Sequence, residues 1–117
     1  MSKAKKTTGM NEHALSKKVG AMLKRLPNLK GIKIHGGRFQ EAGIPDYIIF
    51  FTTYRGDILI PKTLFVELKS PSGRGTLSKL QKQVIDELRG IGQEVIVSQD
   101  MESILDKLEE MGYDTNL

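Results

Sequence analysis

The stretch that decides the fold runs from Gly43 to Lys69 and reads GIPDYIIFFTTYRGDILIPKTLFVELK. One carboxylate, Asp46, stands near its beginning and another, Glu67, near its end, and the residues between them are largely apolar, β-branched or aromatic. This composition predicts β-strands. If the two ends belong to neighbouring strands, Asp46 and Glu67 meet on one surface with Lys69 beside them. Such a group can hold a divalent metal ion and a hydrolytic water.

The length and charge of the chain narrow the possibilities further. A chain of 117 residues is long enough for one domain with its own core and too short for two ordinary ones. We expect residues 1–10 to be a flexible basic tail and residues 11–117 to form a single domain. The net charge is +4 and the pI about 9.4, which favours an anionic partner such as nucleic acid.

The absence of cysteine removes several classes of function. Disulfides, thiolate zinc sites, iron–sulfur clusters and a cysteine nucleophile are all excluded. No stretch of about 18 apolar residues offers a membrane span, and there is no signal-peptide core. A reducing, cytoplasmic location is therefore expected.

A first helix is predicted from Asn11, which can cap it, to the residues before Pro27. Its apolar residues recur at helical spacing from Leu15 onward. Glu12 precedes Leu15 by three residues and so falls on the same inward face, where a carboxylate is unusual. The alternative is that Glu12 only complements the helix dipole in the first turn.

Three strands should follow this helix. Alternating residues predict the first strand over Leu29–His35, and apolar residues predict the second over Asp46–Phe51. A turn signal at residues 54–57 reverses the chain, and Leu64–Lys69 forms a third strand, most simply antiparallel to the second. No second His or Cys is placed to make a metal pair with His35. His35 therefore either contacts a phosphate or is an ordinary strand histidine.

A second helix is predicted over Leu77–Ile91, with Thr76 or Ser78 as its cap. Gln81 lies on the apolar face of this helix, where a buried amide needs hydrogen-bond partners. Either the backbone satisfies this amide or the amide serves a site.

The remaining residues predict a short strand over Glu94–Val97 and a closing helix over Met101–Met111, capped by Asp100. The element order is then α-β-β-β-α-β-α. This order predicts an α/β fold with a mixed sheet flanked by helices.

The residue types at the two ends of the opening stretch suit phosphodiester hydrolysis. A divalent ion held by two carboxylates can neutralise phosphate oxygens, activate a water and stabilise the leaving oxygen. Lys69, two residues after Glu67, shares its strand face and can orient or deprotonate the water.

Together, Gly43-Ile44-Pro45-Asp46, Val66-Glu67-Leu68-Lys69, Leu77-Ser78-Lys79-Leu80-Gln81 and the strand from Glu94 resemble the VRR-NUC domain of the PD-(D/E)xK nuclease superfamily. The likeness extends from Glu12 to about Val97 and implies a stand-alone protein of the short bacterial or viral kind, located in the cytoplasm of a bacterial or virus-infected host cell. It implies a restriction-endonuclease-like fold and cleavage of DNA that depends on Mg²⁺ or Mn²⁺. For stand-alone members it also implies homodimers that cut four-way (Holliday) junctions, whereas members with further domains act on flaps.

The resemblance also implies roles for individual residues. Asp46 and Glu67 would be metal ligands together with the backbone carbonyl of Leu68, and Lys69 would be the catalytic lysine. Glu12 would match the carboxylate that the family places on its first helix, as a further metal ligand and catalytic residue. Gln81 would match the glutamine that supports the site.

Three further residues, His35, Arg38 and Arg74, are assigned only to possible phosphate contact with DNA. The leading hypothesis is a metal-dependent DNA endonuclease that resembles a Holliday junction resolvase and leaves 5′-phosphate and 3′-hydroxyl ends. The alternatives are a flap, nicking or restriction-type nuclease with the same site, and a DNA-binding module that does not cleave.

Overall fold

A computed structural model describes residues 11–34, 43–72 and 76–115 of the chain. The elements in these ranges follow the predicted α-β-β-β-α-β-α order. They are α1 (Glu12–Arg25), β1 (Leu29–Lys33), β2 (Tyr47–Arg55), β3 (Ile58–Leu68), α2 (Lys79–Gly90), β4 (Glu94–Ser98) and α3 (Met101–Glu110). In the part of the chain so described, no helix is both long enough and apolar enough to cross a membrane.

The four strands form one mixed sheet in the order β1-β2-β3-β4. β1 pairs antiparallel with β2, and β2 pairs antiparallel with β3. β4 pairs parallel with β3, so α2 connects two parallel neighbours. The α/β class and the helix-flanked mixed sheet that the sequence predicts are therefore confirmed.

The β2–β3 hairpin is longer than the sequence analysis predicts. Its ladder continues from Tyr47 opposite Val66 to Arg55 opposite Ile58, so most of residues 52–62 are strand rather than loop. Gly56 and Asp57 alone make the turn, and Gly56 has a φ of 60°. A two-residue turn that begins with glycine at positive φ matches the twist of antiparallel strands. The turn signal was correct, but the turn is much shorter than the predicted reversal.

The main core lies between one face of the sheet and the helices α1 and α3. Alternate residues of β2 and β3 point into it, because successive side chains of a strand face opposite sides. The helices add apolar residues at helical spacing. The buried cluster consists of Leu15, Val19, Met22, Leu23, Tyr47, Ile49, Phe51, Leu64, Val66, Leu68, Ile104, Leu108 and Tyr113.

The opposite face of the sheet carries α2. This helix buries Val84 and Ile85, and its cap is Ser78 rather than Thr76. The helix is shorter than predicted, because it ends at Gly90, and Ile91 lies beyond it and is exposed. The two sheet faces thus differ in what covers them, and the face with α2 is also the face on which Asp46 and Glu67 lie.

Candidate active site

Asp46 and Glu67 lie opposite one another where the β2–β3 ladder ends. Continuing the printed register by one step beyond Tyr47 and Val66 pairs these two residues. The main-chain oxygen of Asp46 accepts a hydrogen bond from the Ile34 nitrogen at 2.8 Å, so the backbone of Asp46 faces β1 and not β3. Asp46 and Glu67 therefore form a non-hydrogen-bonded pair, the kind in which opposing side chains approach most closely.

At this point the Asp46 carboxylate serves as the hydrogen-bond acceptor in place of a main-chain carbonyl of the ladder. Its Oδ2 accepts a hydrogen bond from the main-chain N–H of Leu68 at 2.7 Å. The residue opposite Leu68 in the continued register is Pro45, which has no N–H to donate. The carbonyl of Leu68, which points to the same side as its N–H, thus meets no ladder donor from β2. A backbone oxygen and a carboxylate are in this way presented side by side.

Glu67 is buried, with an exposed fraction of only 2%. Its Oε2 accepts a hydrogen bond from Gln81 Nε2 at 2.9 Å, whereas its Oε1 has no hydrogen-bond partner among the described residues. The pKa of Glu67 is raised from 4.5 to about 7, mainly by burial and then by the negative charge of Asp46; Lys69 opposes the rise and Glu12 adds to it. The positive charge of Lys69 does not offset the effect of burial and of the neighbouring carboxylates on the pKa of Glu67.

Lys69 forms an ion pair with this carboxylate, and it too is buried. Its Nζ donates a hydrogen bond to Gln81 Oε1 at 3.2 Å and lies 3.8 Å from Glu67 Oε2 and 3.8 Å from Glu12 Oε1. Its main-chain nitrogen donates to the Ser98 oxygen at 2.9 Å, which fixes the backbone against β4. The ammonium group is therefore held between two carboxylates and an amide.

Gln81 joins the helix α2 to both of these groups. Its backbone nitrogen donates to Ser78 Oγ at 3.0 Å, and its Oε1 accepts from the Ser78 nitrogen at 2.9 Å, which makes a capping box. The same amide reaches Glu67 through Nε2 and Lys69 through Oε1. One side chain thus starts the helix and holds two site residues.

Ser78, which the sequence predicts only as one of two possible caps, also supports the site through its bonds to Gln81. The pattern Ser78-x-x-Gln81 is the sequence signature of a capping box and was the signal that could have identified it. The link between the capping box and the carboxylate depends on how α2 docks on the sheet, which the pattern does not contain.

The predicted site residues are gathered only in part. Asp46, Glu67, Leu68, Lys69 and Gln81 are in contact as described above. Glu12 reaches the group only through Lys69, and its side chain remains about half exposed rather than facing inward. The predictions for His35, Arg38, Arg74 and the tail of residues 1–10 lie outside the described residues.

The donor set suits a hard divalent cation, although the side chains are not gathered into a ready-made cluster. No group of three or more His, Cys, Asp or Glu side chains within residues 11–34, 43–72 and 76–115 is arranged to hold a metal ion. Oε1 of Glu67, which has no hydrogen-bond partner among the described residues, nevertheless lies in an environment made more negative by Asp46 and Glu12. Oxygen donors of this type are those that Mg²⁺ and Mn²⁺ bind.

Comparison with known proteins supports the same conclusion. The model of the VRR-NUC domain family matches residues 2–101, which is most of the chain. Neither the comparison with curated proteins nor that with solved structures gave a significant match. Nuclease domains of this type cleave DNA and typically use divalent metal ions. The chain therefore belongs to the VRR-NUC family, and its domain is a nuclease domain.

Proposed function

We propose that this protein is a divalent-metal-dependent endonuclease that hydrolyses phosphodiester bonds in branched DNA, most specifically at four-way junctions. The observation that carries the proposal is the buried Glu67 carboxylate, whose Oε1 lacks a partner beside Asp46 and Lys69. A buried carboxylate that serves only packing would be expected to have both oxygens satisfied. An oxygen kept without a donor in a negative environment suits a cation ligand.

Asp46, Glu67 and the Leu68 carbonyl would hold the ion, and Glu12 would complete the set from α1. Mg²⁺ or Mn²⁺ would neutralise charge on the scissile phosphate and lower the pKa of a water molecule. Asp46 is already fixed through its bond to the Leu68 nitrogen, so one carboxylate oxygen orients the side chain and leaves the other for the ion. Glu12 is about half exposed, and its Oε1 lies 3.8 Å from Lys69 Nζ beside this group.

Lys69 would position the attacking water and offset negative charge that develops on the phosphate. Its Nζ has three hydrogens, of which one is directed at Gln81 Oε1. Its Nζ lies 3.8 Å from one oxygen of Glu12 and 3.8 Å from one oxygen of Glu67, and we assign it orientation of the water and charge stabilisation. Gln81 is a positioning residue in this scheme, because its amide holds Lys69 and Glu67 at once.

A homodimer would suit a four-way junction, because a two-fold axis places two equivalent sites on one symmetric substrate. The described part of the chain offers an apolar contact for a second copy. Phe50 is 42% exposed and lies on the same sheet face as the exposed Ile32, one diagonal step away across β1 and β2. Replacing Phe50 by Lys should yield a monomer in sedimentation analysis. An unchanged sedimentation coefficient would remove this surface from consideration.

The activity is tested with labelled four-way junction, flap, nicked and plain duplex DNA, each with Mg²⁺, Mn²⁺ or EDTA. Symmetric cuts in the junction that require a metal ion would support the proposal. Cuts restricted to flaps would favour a flap nuclease with the same site. Binding without any cuts would favour a DNA-binding module and contradict the proposed hydrolysis.

The metal ligands are tested with Asp46→Asn. Asparagine keeps an oxygen for the Leu68 nitrogen but removes the charge, so the metal concentration needed for half-maximal cleavage should rise and the rate should fall. Asp57→Asn is the matched control, because Asp57 lies in the exposed turn at the far end of the same hairpin. Wild-type metal dependence in the Asp46 variant would contradict the assignment.

A further inference from the structure

A basic groove lies between α1 and the edge strand β1. Lys17 and Lys24 of the helix line one wall, and Lys33 of the strand lines the other. No aspartate or glutamate is among the described residues that line it. The groove is on the sheet face opposite the Asp46 side chain, because Tyr47 forms part of it and neighbouring strand residues face opposite sides.

Two glycines, Gly20 and Gly31, allow α1 to pack closely against the strands at the base of this groove. A Cβ on Gly20 would lie 2.9 Å from the Tyr47 hydroxyl oxygen, and a Cβ on Gly31 would lie 2.5 Å from Leu23 Cδ1. A side chain at either position would therefore force Tyr47 or Leu23 to shift. The closeness of the helix and the sheet leaves the lysines as the main projections along the walls.

The cations of the groove are arranged in a row and in part fixed. Lys17 and Lys24 are seven residues apart, which places them on one side of the helix about 10 Å apart along its axis. Lys33 Nζ donates to Ser16 Oγ at 3.1 Å and lies 5.2 Å from the centroid of the Tyr47 ring. These contacts use part of the ammonium group and leave hydrogens for an anion.

We propose that this groove binds the sugar–phosphate backbone of a DNA arm that extends from the active site, an inference that rests on the proposed nuclease function. Two walls of cations without acidic residues match a chain of phosphates. Tyr47 is buried and cannot stack on a base, so the groove should read backbone and not sequence.

The position of the groove connects it to the site. Glu12, whose side chain lies 3.8 Å from Lys69 Nζ, directly precedes the groove residue His13, so the groove begins at the end of α1 that reaches the site. The site itself is rich in carboxylates, which repel DNA when no metal ion is bound. The groove therefore supplies affinity for DNA that the carboxylate-rich site does not. The acidic residues of α3 lie on a different helix from the groove lysines.

The test measures binding of a fluorescein-labelled DNA duplex and a labelled four-way junction by anisotropy in EDTA, where metal-dependent cleavage cannot occur. Affinity is recorded between about 50 and 200 mM salt, because the slope of log K against log salt counts the phosphates neutralised. Lys17→Ala/Lys24→Ala should bind more weakly and reduce the slope by about 1.8, and Lys33→Met should reduce it by about 0.9. Methionine keeps an apolar stem over Tyr47.

Matched controls separate the groove from general charge. Lys18→Ala/Arg25→Ala removes the same charge from exposed positions one residue further along the same helix, and Lys30→Met does so on the opposite face of β1. These controls should keep the wild-type slope. Thermal unfolding of every variant establishes that it is folded.

The outcomes distinguish the groove from the nuclease. Groove variants that keep the wild-type slope overturn the groove even if the protein cleaves DNA, and so does a wild-type protein that does not bind DNA in EDTA. A slope that depends on the groove, in a protein that cleaves no DNA, supports the groove and contradicts the proposed nuclease activity.

Discussion

The two ends of the β2–β3 hairpin belong to one ladder but have opposite environments. At the tip, Tyr54 and Ile58 are 67% and 65% exposed, and a two-residue turn joins the strands. At the other end, Glu67 and Lys69 are buried, and the first turn of α2 reaches them through Gln81. Strand pairing is therefore not enough to bury and orient polar side chains, since it is present at both ends. The polar groups are buried and held by hydrogen bonds only at the end where the ladder stops and a helix closes over it.

The largest effect should come from Lys69→Ala at the buried end. Loss of the ammonium should lower the single-turnover cleavage rate about 10²- to 10⁴-fold, because the positioned water and developing charge lose their cation. DNA binding in EDTA should persist. The control is Lys62→Ala, on the same hairpin but away from the site, which should cleave like the wild type. Full activity of the Lys69 variant would refute its assigned role.

The second effect concerns the pH dependence of stability in EDTA. The pKa of Glu67 is raised from 4.5, its ordinary value, to about 7 in the fold, so between these values the folded state holds a proton that the unfolded state has lost. Stability should therefore fall as pH rises through this range. The loss should be about 3 kcal/mol, since one pKa unit corresponds to about 1.4 kcal/mol.

This pH effect is measured by urea unfolding of the wild type and of Glu67→Gln at several pH values between about 4 and 8. The glutamine variant should lack this part of the slope, and added Mg²⁺ or Mn²⁺ should restore wild-type stability near neutral pH. Parallel pH profiles for the two proteins would show that Glu67 is not the titrating group.

A third test compares one glycine from each end of the hairpin. Gly43 and Gly56 have φ values of 87° and 60°, so alanine is strained at both. An added Cβ at Gly43 would lie 3.0 Å from the Leu80 main-chain oxygen, whereas at Gly56 it meets nothing within 4 Å. Gly43→Ala should therefore unfold more easily than Gly56→Ala by about 1–3 kcal/mol.

The glycine pair also separates stability from activity. Gly43→Ala should slow cleavage, because α2 must move away from the site, while Gly56→Ala should cleave at the wild-type rate. Chemical unfolding and single-turnover cleavage of both variants provide the comparison. Equal behaviour of the two variants would show that the contact with Leu80 does not matter.

The smallest effect should come from the amide that links α2 to the site. Gln81→Ala should lower the cleavage rate about 10- to 100-fold, as for other residues that hold metal ligands and catalytic groups in place. Gln83→Ala is the control, because Gln83 is exposed on the same helix. Ser78→Ala should cost about 1 kcal/mol of stability but retain more activity than Gln81→Ala, since the amide itself remains. If Ser78→Ala lost more activity than Gln81→Ala, the Gln81 amide would not be the group that positions the site.

The meeting of Asp46 and Glu67 can be predicted from the sequence, because strand alternation and antiparallel pairing do not depend on the length of the hairpin. The length itself was wrong, since residues 52–62 mix polar and charged residues with strand formers such as Thr53 and Tyr54. Exposed strands lack the apolar pattern that marks buried ones, so a two-residue turn could not be told from a longer loop.

Other parts of the site depend on tertiary docking and leave weak marks in the sequence. The bond from Leu68 to Asp46 needs the ladder to end at Pro45, which the residue types allow but do not require. The amide of Gln81 was expected to need partners, but only the docking of α2 identifies Glu67 and Lys69 as those partners. The basic groove likewise exists only because α1 lies close to β1.

The side-chain amide of Gln81 makes the order of the candidate active site depend on the first turn of α2. The hydrogen bonds that begin α2 and those that orient Glu67 and Lys69 use the same side chain, so opening the first turn withdraws it from all of them. Helix ends open far more readily than whole domains. On warming, the active site should therefore lose its order before the β-sheet melts, and the upper temperature of activity would be set by four residues, 78–81, rather than by the core.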